Sequence, residues 1–403
     1  TGSSTLSILS SNAATDAIYL SGTSSSNQAI RLTHGTNKIH ATGGGGITLQ
    51  SDAMHYNTVI EGTTEILANS GDIKLLATQD SNLHIHANLY LGSKSGVTGL
   101  TTSSSDITIQ SSNHSYGSAR YIATTGTFTV LPASTQDDFS LAIDVNDYSW
   151  NQNSQTMSGL TIGKASTADG TSDQTVNINA DLSVNGPITI YGGAMTLNNN
   201  LTSTGSGSAI LLQASGDFST DTSAQTITTN NGNVSILADS DGSGAGQLNV
   251  DYLTINPGSG NVVYSGETYS WITSAGILPT INGTGTFTIQ SGDDNMGQGF
   301  NSVWLSLNST LTGLTIGKTT NTVGVTIGSA TTIAGPITVY GGDIVVNQNL
   351  NTTSGGVGGD VLLKGTGDIE LAANKSITTT GGDVILWSNS DNSGDNGYIL
   401  LRD

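Results

Sequence analysis

The chain has 403 residues, no cysteine, and 10 lysines and arginines against 30 acids, for a net charge of −20. That charge repels nucleic-acid phosphates and anionic lipid, the lack of thiols excludes a disulfide frame, and no apolar run reaches the roughly 18 residues of a membrane span. Hydrophobic residues make up 35 % and glycine supplies 53 positions, so a narrow core under Thr- and Asn-rich strands is expected rather than disorder.

Residues 1–115 carry short alternating runs, among them Ile47-Thr48-Leu49, Ile73-Lys74-Leu75, Leu83-His84-Ile85, Leu89-Tyr90-Leu91 and Ile107-Thr108-Ile109. Alternation of this kind makes a strand with one buried face, and Gly- or Ser-rich corners such as Gly43 to Gly46 separate the strands. All six histidines fall here: His34, His40, His55, His84, His86 and His114. His84 and His86 flank Ile85 and share one face, a two-ligand set that is incomplete for zinc, so exposed strand positions are the expectation.

A long repeat then runs over 116–265 and again over 266–403. Gly159-Leu160-Thr161-Ile162-Gly163-Lys164 leads to Gly186-Pro187-Ile188-Thr189-Ile190-Tyr191, and Gly313-Leu314-Thr315-Ile316-Gly317-Lys318 leads to Gly335-Pro336-Ile337-Thr338-Val339-Tyr340. Between these landmarks strands begin at Val176, Leu182, Ile188, Met195 and Leu201, and in the second copy at Val325, Thr331, Ile337, Ile344 and Leu350. Both series step by 6, 6, 7 and 6 residues. Three strands therefore span 195 − 176 = 19 residues, and 344 − 325 = 19 in the second copy. A chain that corners every six residues and returns after about twenty winds an all-β parallel β-helix, a β-solenoid, with coils of 19–24 residues. The second repeat ends partway through its pattern, so a longer parent protein is expected.

These repeated runs, together with Ile377-Thr378-Thr379-Thr380-Gly381-Gly382-Asp383-Val384-Ile385-Leu386, resemble long bacterial exoproteins of the filamentous-haemagglutinin type. The resemblance covers 116–403 by sequence and 1–115 by style. It implies a repetitive β-helix at the bacterial cell surface, often exported by a two-partner system. It also implies adhesion through other surface molecules, glycans or further copies of the same chain; the charge and hydropathy above leave nucleic acid and membrane insertion out of the expected partners.

Several motifs invite chemistry. Gly313 to Thr319 suggests a phosphate loop, but three residues separate the glycines where four are required, and the first copy has Ala165 at the final position. Gly355-Gly356-Val357-Gly358-Gly359-Asp360 fits one turn of a calcium-binding β-roll without the tandem copies such sites share. Asp239-Ser240-Asp241-Gly242, Asn389-Ser390-Asp391-Asn392 and the pair Asp293-Asp294 could offer calcium oxygens, although turns select the same residues. The leading expectation needs no cofactor and no catalytic residue. The irregular segments 131–158 and 265–312 concentrate the aromatics, and Tyr148, Trp150, Tyr269, Trp271 and Trp304 are the candidate ligand-binding residues, as platforms for sugar rings. The leading function is a structural stalk of a surface adhesin. A carbohydrate-binding module and a laterally assembling sheath are the alternatives.

Overall fold

The computed structural model describes residues 5–22, 30–32, 35–51, 58–77, 82–85, 88–111, 113–116, 120–133, 143–144, 157–165, 174–220, 223–270, 278–353, 359–393 and 397–403. The chain forms two compact units, Thr1–Gly193 and Ala194–Asp403. Their boundary falls inside the first long repeat. In a solenoid each coil touches only its neighbours, so sequence repeats and compact units need not coincide.

Both units are parallel β-helices whose coils carry three strands, one on each of three faces. In the first unit face 1 stacks Thr5–Ser10, Thr36–Ala41, Thr63–Ala68, Leu89–Gly92 and Arg120–Ala123. Face 2 stacks Asp16–Gly22, Gly46–Ser51, Ile73–Ala77, Ile107–Gln110, Thr127–Leu131, Gly159–Ile162 and Ile188–Gly192, while face 3 begins at Ile30–Leu32. The second unit repeats the plan, with a face 2 running from Ile210–Ala214 to Val384–Trp387. The sequence places strand starts at Val176, Leu182, Ile188, Val325, Thr331, Ile337, Ile344 and Leu350, and strands begin there. Among the described residues the helical content is a single 3-10 turn, Ser302–Trp304.

Register makes the core a set of columns. In the first unit Ile47, Ile73, Ile107, Phe128, Leu160 and Ile188 lie one above another. In the second, Val234, Val262, Phe287, Leu314, Ile337 and Val361 do the same. All twelve are buried, and each apolar side chain rests on the one below.

Coil length is less uniform than the closest-spaced strands imply. Thr331 pairs with Leu350, 350 − 331 = 19 residues on, and Ile337 with Val361, 361 − 337 = 24. Val234, however, pairs with Val262, 262 − 234 = 28, and Ile73 with Ile107, 107 − 73 = 34. The 19–24 range thus holds only for the tightest coils. The described strands stay short, seven residues at most, so the extra residues enter at corners, where loop length costs little.

The corner before face 2 has a simple rule. Its first residue is glycine in most coils: a Cβ on Gly260 would lie 2.0 Å from Gly232 O, and one on Gly382 would lie 2.4 Å from Gly359 O. The next residue sends its carbonyl down to the strand below, as Asn261 does to the Val234 N–H (2.8 Å) and Asp383 to the Val361 N–H (2.8 Å). Its own N–H is then left without a ladder carbonyl, and a side chain of the coil below accepts it. Asn233 Oδ1 takes the Asn261 N–H (2.9 Å), Asn261 Oδ1 takes that of Thr286 (2.9 Å), and Asp360 Oδ1 that of Asp383 (2.9 Å). The other two corners do likewise: Asp343 caps Asp368 N (2.9 Å), Asp368 caps Tyr398 N (2.8 Å), Asn200 caps Thr226 N (2.8 Å) and Asn349 caps Ser376 N (3.0 Å).

Pro187 and Pro336 obey the same rule from the opposite side. They occupy the corner position, and their carbonyls accept from Leu160 N and Leu314 N at 2.9 Å each. Proline has no N–H to cap, and the residues beneath, Gly159 and Gly313, have no side chain to cap with.

Two sites put this packing to the test. Pro187→Ala restores an N–H above Gly159, where a Cβ would meet Thr127 Cγ2 at an ordinary 3.5 Å. Pro187→Ala should therefore lose about 1 kcal/mol, and adding Gly159→Asn should return much of it, as a coupling in a urea double-mutant cycle. Tyr264 is fully buried in its column between Ile236 and Ile289, edge-on to Phe287 at 5.3 Å, and burial pushes its phenol well above the usual tyrosine range. Among the described residues its hydroxyl has no hydrogen-bond partner. Tyr264→Phe should be neutral or stabilise by about 1 kcal/mol, since it removes an unsatisfied polar atom; a clear fall in the urea midpoint would contradict this.

Candidate functional site

A cluster of charged groups in the second unit lies where the chain leaves face 2 in successive coils. Asp239 follows Val234–Leu237, Glu267 follows Val262–Ser265, Asp293 follows Thr286–Gln290 and Lys318 follows Gly313–Ile316. One carboxylate oxygen from each of Asp239, Glu267 and Asp293 lies within 4.8 Å of the others. Glu267, Asp293, Asp294, Asn295 and Lys318 line an open cleft of about 530 Å³.

Local backbone explains how each group is held. Asp239 is fully buried in the left-handed region, φ 52°, where a short Asx side chain is tolerated. Its carboxylate accepts hydrogen bonds from Ser243 Oγ (3.1 Å), Gly244 N (3.1 Å) and Ala245 N (3.3 Å), all from its own turn. Glu267 accepts from Ser291 Oγ (3.0 Å), which in turn accepts from Asp293 N (3.1 Å). Lys318 Nζ donates to the carbonyls of Gly292 (2.9 Å) and Asp293 (2.7 Å), bringing positive charge to the edge of the cluster.

The donor set is oxygen only, the chemistry a hard cation such as calcium takes. The protein's own groups already meet much of the need such a cation would fill. Asp239 is satisfied by the donors of its turn, and Lys318 offsets part of the charge on the Asp293 loop. Lys318 is thereby placed at a corner, with Gly317 at φ 81°, as the glycine spacing unsuited to a phosphate loop implied.

Other expectations are redistributed. Asp239 and Asp293, which the sequence places in separate turns, come together, and Glu267, not singled out from the sequence, joins them. Asp360, a candidate for a calcium roll, instead caps the Asp383 N–H. Asp391 closes its own turn through Ser393 N (3.2 Å). Arg31 pairs with Glu61 at 2.8 Å, Arg402 with Glu370 at 2.5 Å, and Arg120 is buried in the first unit.

Among the aromatic candidates, Tyr269 is corrected. It is 3 % exposed, its hydroxyl donates to Gln290 O, and its ring meets Phe300 edge-on at 6.0 Å, so it offers no face to a sugar. The sequence hid this because Tyr269 lies in an irregular segment, while register stacks it above Leu248 on face 3. Trp304 is half-buried on the 3-10 turn, edge-on to Phe300 at 5.7 Å. Tyr148, Trp150 and Trp271 lie outside the described residues. His86, one of the pair expected at exposed strand positions, lies outside the described residues; His40, elsewhere in the first unit, is buried beside Glu65.

No protein-family model, curated protein or solved structure matches the chain. Among the described residues no helix is long and apolar enough to cross a membrane.

Asp239→Ala should lower the stability of the second unit by about 2–4 kcal/mol, because three donors in the turn lose their acceptor. Asp239→Asn keeps an acceptor and relieves repulsion from Glu267 and Asp293, so it should cost markedly less. Urea midpoints of the two variants give the comparison, and equal losses would show that the turn does not depend on that oxygen.

Proposed function

We propose that the chain is a structural, non-enzymatic stalk segment of a large bacterial cell-surface adhesin. It lies outside the cell and spaces the parts of that protein that meet other surface molecules, glycans or further copies of itself. The observation that carries this reading is the corner ladder. Asn and Asp side chains that could serve a ligand are used on the backbone of the next coil, at all three corners. A chain organised this way folds by adding coils, each completing the hydrogen bonds of the last. It needs neither disulfides nor ATP to do so after export. The resemblance to filamentous-haemagglutinin-type exoproteins supports the location and the adhesive context.

The test is cellular. Antibodies raised against residues 194–403 should label intact cells of the source organism, and in-frame deletion of this segment should reduce attachment while the remaining protein still reaches the surface. Labelling confined to lysed cells, or attachment unchanged by the deletion, would count against the proposal.

A further inference from the structure

In the first unit one described corner between faces 1 and 2 is much longer than its neighbours. Between faces 1 and 2 the chain uses residues 42–45, 69–72 and 124–126 in three coils, but 93–106 in the coil that leaves Leu89–Gly92. This longer loop is pinned at both ends. Ser93 N and Oγ donate to Ala123 O at 3.0 and 3.1 Å, Ser104 N donates to Asn69 O at 2.9 Å, and Ser105 Oγ donates to Ala68 O. Its middle closes on itself through Lys94 N to Leu100 O (2.9 Å) and Leu100 N to Val97 O (3.0 Å), with Leu100 fully buried.

The side chain that holds the loop's start to the sheet is Lys94. Its ammonium lies 2.5 Å from Glu65 Oε1 and 4.1 Å above the ring of Tyr90, which stacks on Tyr121 at 4.6 Å. The other oxygen of Glu65 lies 3.1 Å from His40 Nε2. Register explains the meeting: Lys38, Glu65, Tyr90 and Tyr121 form one column on the outward side of face 1, and His40 pairs with Leu9 and Leu67 beside it. Outward positions of a solenoid are ordinarily wet, yet Glu65 is 4 % exposed, His40 6 % and Leu67 fully buried. Lys94 is the more accessible partner, with 27 % of its side chain exposed.

We propose that the 93–105 loop is a cover held shut by the Lys94–Glu65–His40 relay and released when His40 takes up a proton. In the closed form the neutral imidazole donates its Nε2–H to Glu65, whose single negative charge balances Lys94. A proton on His40 leaves one buried carboxylate between two cations. Lys94, the partner nearer water, then withdraws and carries the start of the loop with it.

The charged groups facing His40 are Lys38 on its own strand, Glu65 on the neighbouring strand and Lys94 on the loop. Burial holds the imidazole below its ordinary value, outweighing the opposing pull of Glu65, and the two lysines lower it further. The sign is therefore fixed. Closure is fully favoured above the ordinary histidine range near pH 6.5 and is lost as the pH falls below it, by at most about tenfold per pH unit.

Hydrogen-exchange protection factors, corrected for intrinsic rates, test this on the full chain. Between pH 7.5 and 5.0 the Lys94 and Leu100 amides should lose about tenfold or more, while the strand amides of Leu91 and Ile122 stay protected. His40→Gln keeps a side-chain N–H donor that does not titrate, so its loop should be equally protected at both pH values. An unchanged wild-type loop, or the same loss in His40→Gln, overturns the proposal. Should that variant fail to fold, the wild-type His40 ring titration decides: a midpoint below 6.5 supports the cover, and one at or above 6.5 overturns it.

Discussion

A parallel coil that turns three times must at each turn dispose of a peptide N–H that no ladder carbonyl reaches. An unpaired N–H at a tight corner costs free energy comparable to a lost hydrogen bond, and a stacked structure meets that cost once per corner per coil. This protein meets it in two ways. A carboxylate or amide in the coil below accepts the proton, as Asp343 does for Asp368, or proline removes the proton, as Pro336 does above Gly313. The composition follows from that choice. Caps must be short acceptors on the strand-entry position, which selects Asn and Asp, and no corresponding position calls for a base. Acids therefore outnumber lysines and arginines 30 to 10 without any polyanionic function being required.

The caps fix spacing and the columns fix identity. Because each inward side chain rests on its counterpart one coil below, Ile188 on Leu160 or Ile337 on Leu314, apolar size need match only locally. A phenylalanine such as Phe287 enters a column of valine and leucine because neighbouring coils absorb the volume. Nothing in this scheme limits what happens between a strand's end and the next glycine corner. Coils of very different length therefore share the same three faces.

Much of this was legible in the sequence where the coils are shortest. With corners of a few residues, apolar alternation and the Gly-Pro or Gly-Asp pair before Ile and Val repeat at nearly constant spacing, so strand starts at Val325, Thr331, Ile337, Ile344 and Leu350 could be placed to the residue. Legibility ended where corners lengthen. Asp239, Glu267 and Asp293 are 267 − 239 = 28 and 293 − 267 = 26 residues apart, and only known coil lengths bring them to one corner. Tyr269 failed for a related reason. In an irregular stretch an aromatic on an inward register cannot be told from one in a loop, and only the pairing of Thr268–Ser270 with Gln247–Asn249 decides.

The same geometry says where chemistry can collect on such a scaffold. Side chains on a face are separated by one strand spacing and point away from it, so adjacent coils bring together rows, such as Val263, Thr288, Thr315 and Thr338 on face 2, rather than converging groups. A lengthened corner can instead fold back over the coil beneath. The Asp239 turn buries its carboxylate beside the next coil's corner, and the long 93–105 corner brings Lys94 onto Glu65, which is buried beside His40 on the outward side of face 1. Each place also holds a lysine from a neighbouring corner: Lys94 pairs with the Glu65 carboxylate, while Lys318 donates to the Gly292 and Asp293 carbonyls. A buried charge left without a partner or hydrogen bonds would open the corner. The departures from the repeat are therefore where charged groups collect in this fold, and the repeat holds those departures at fixed height.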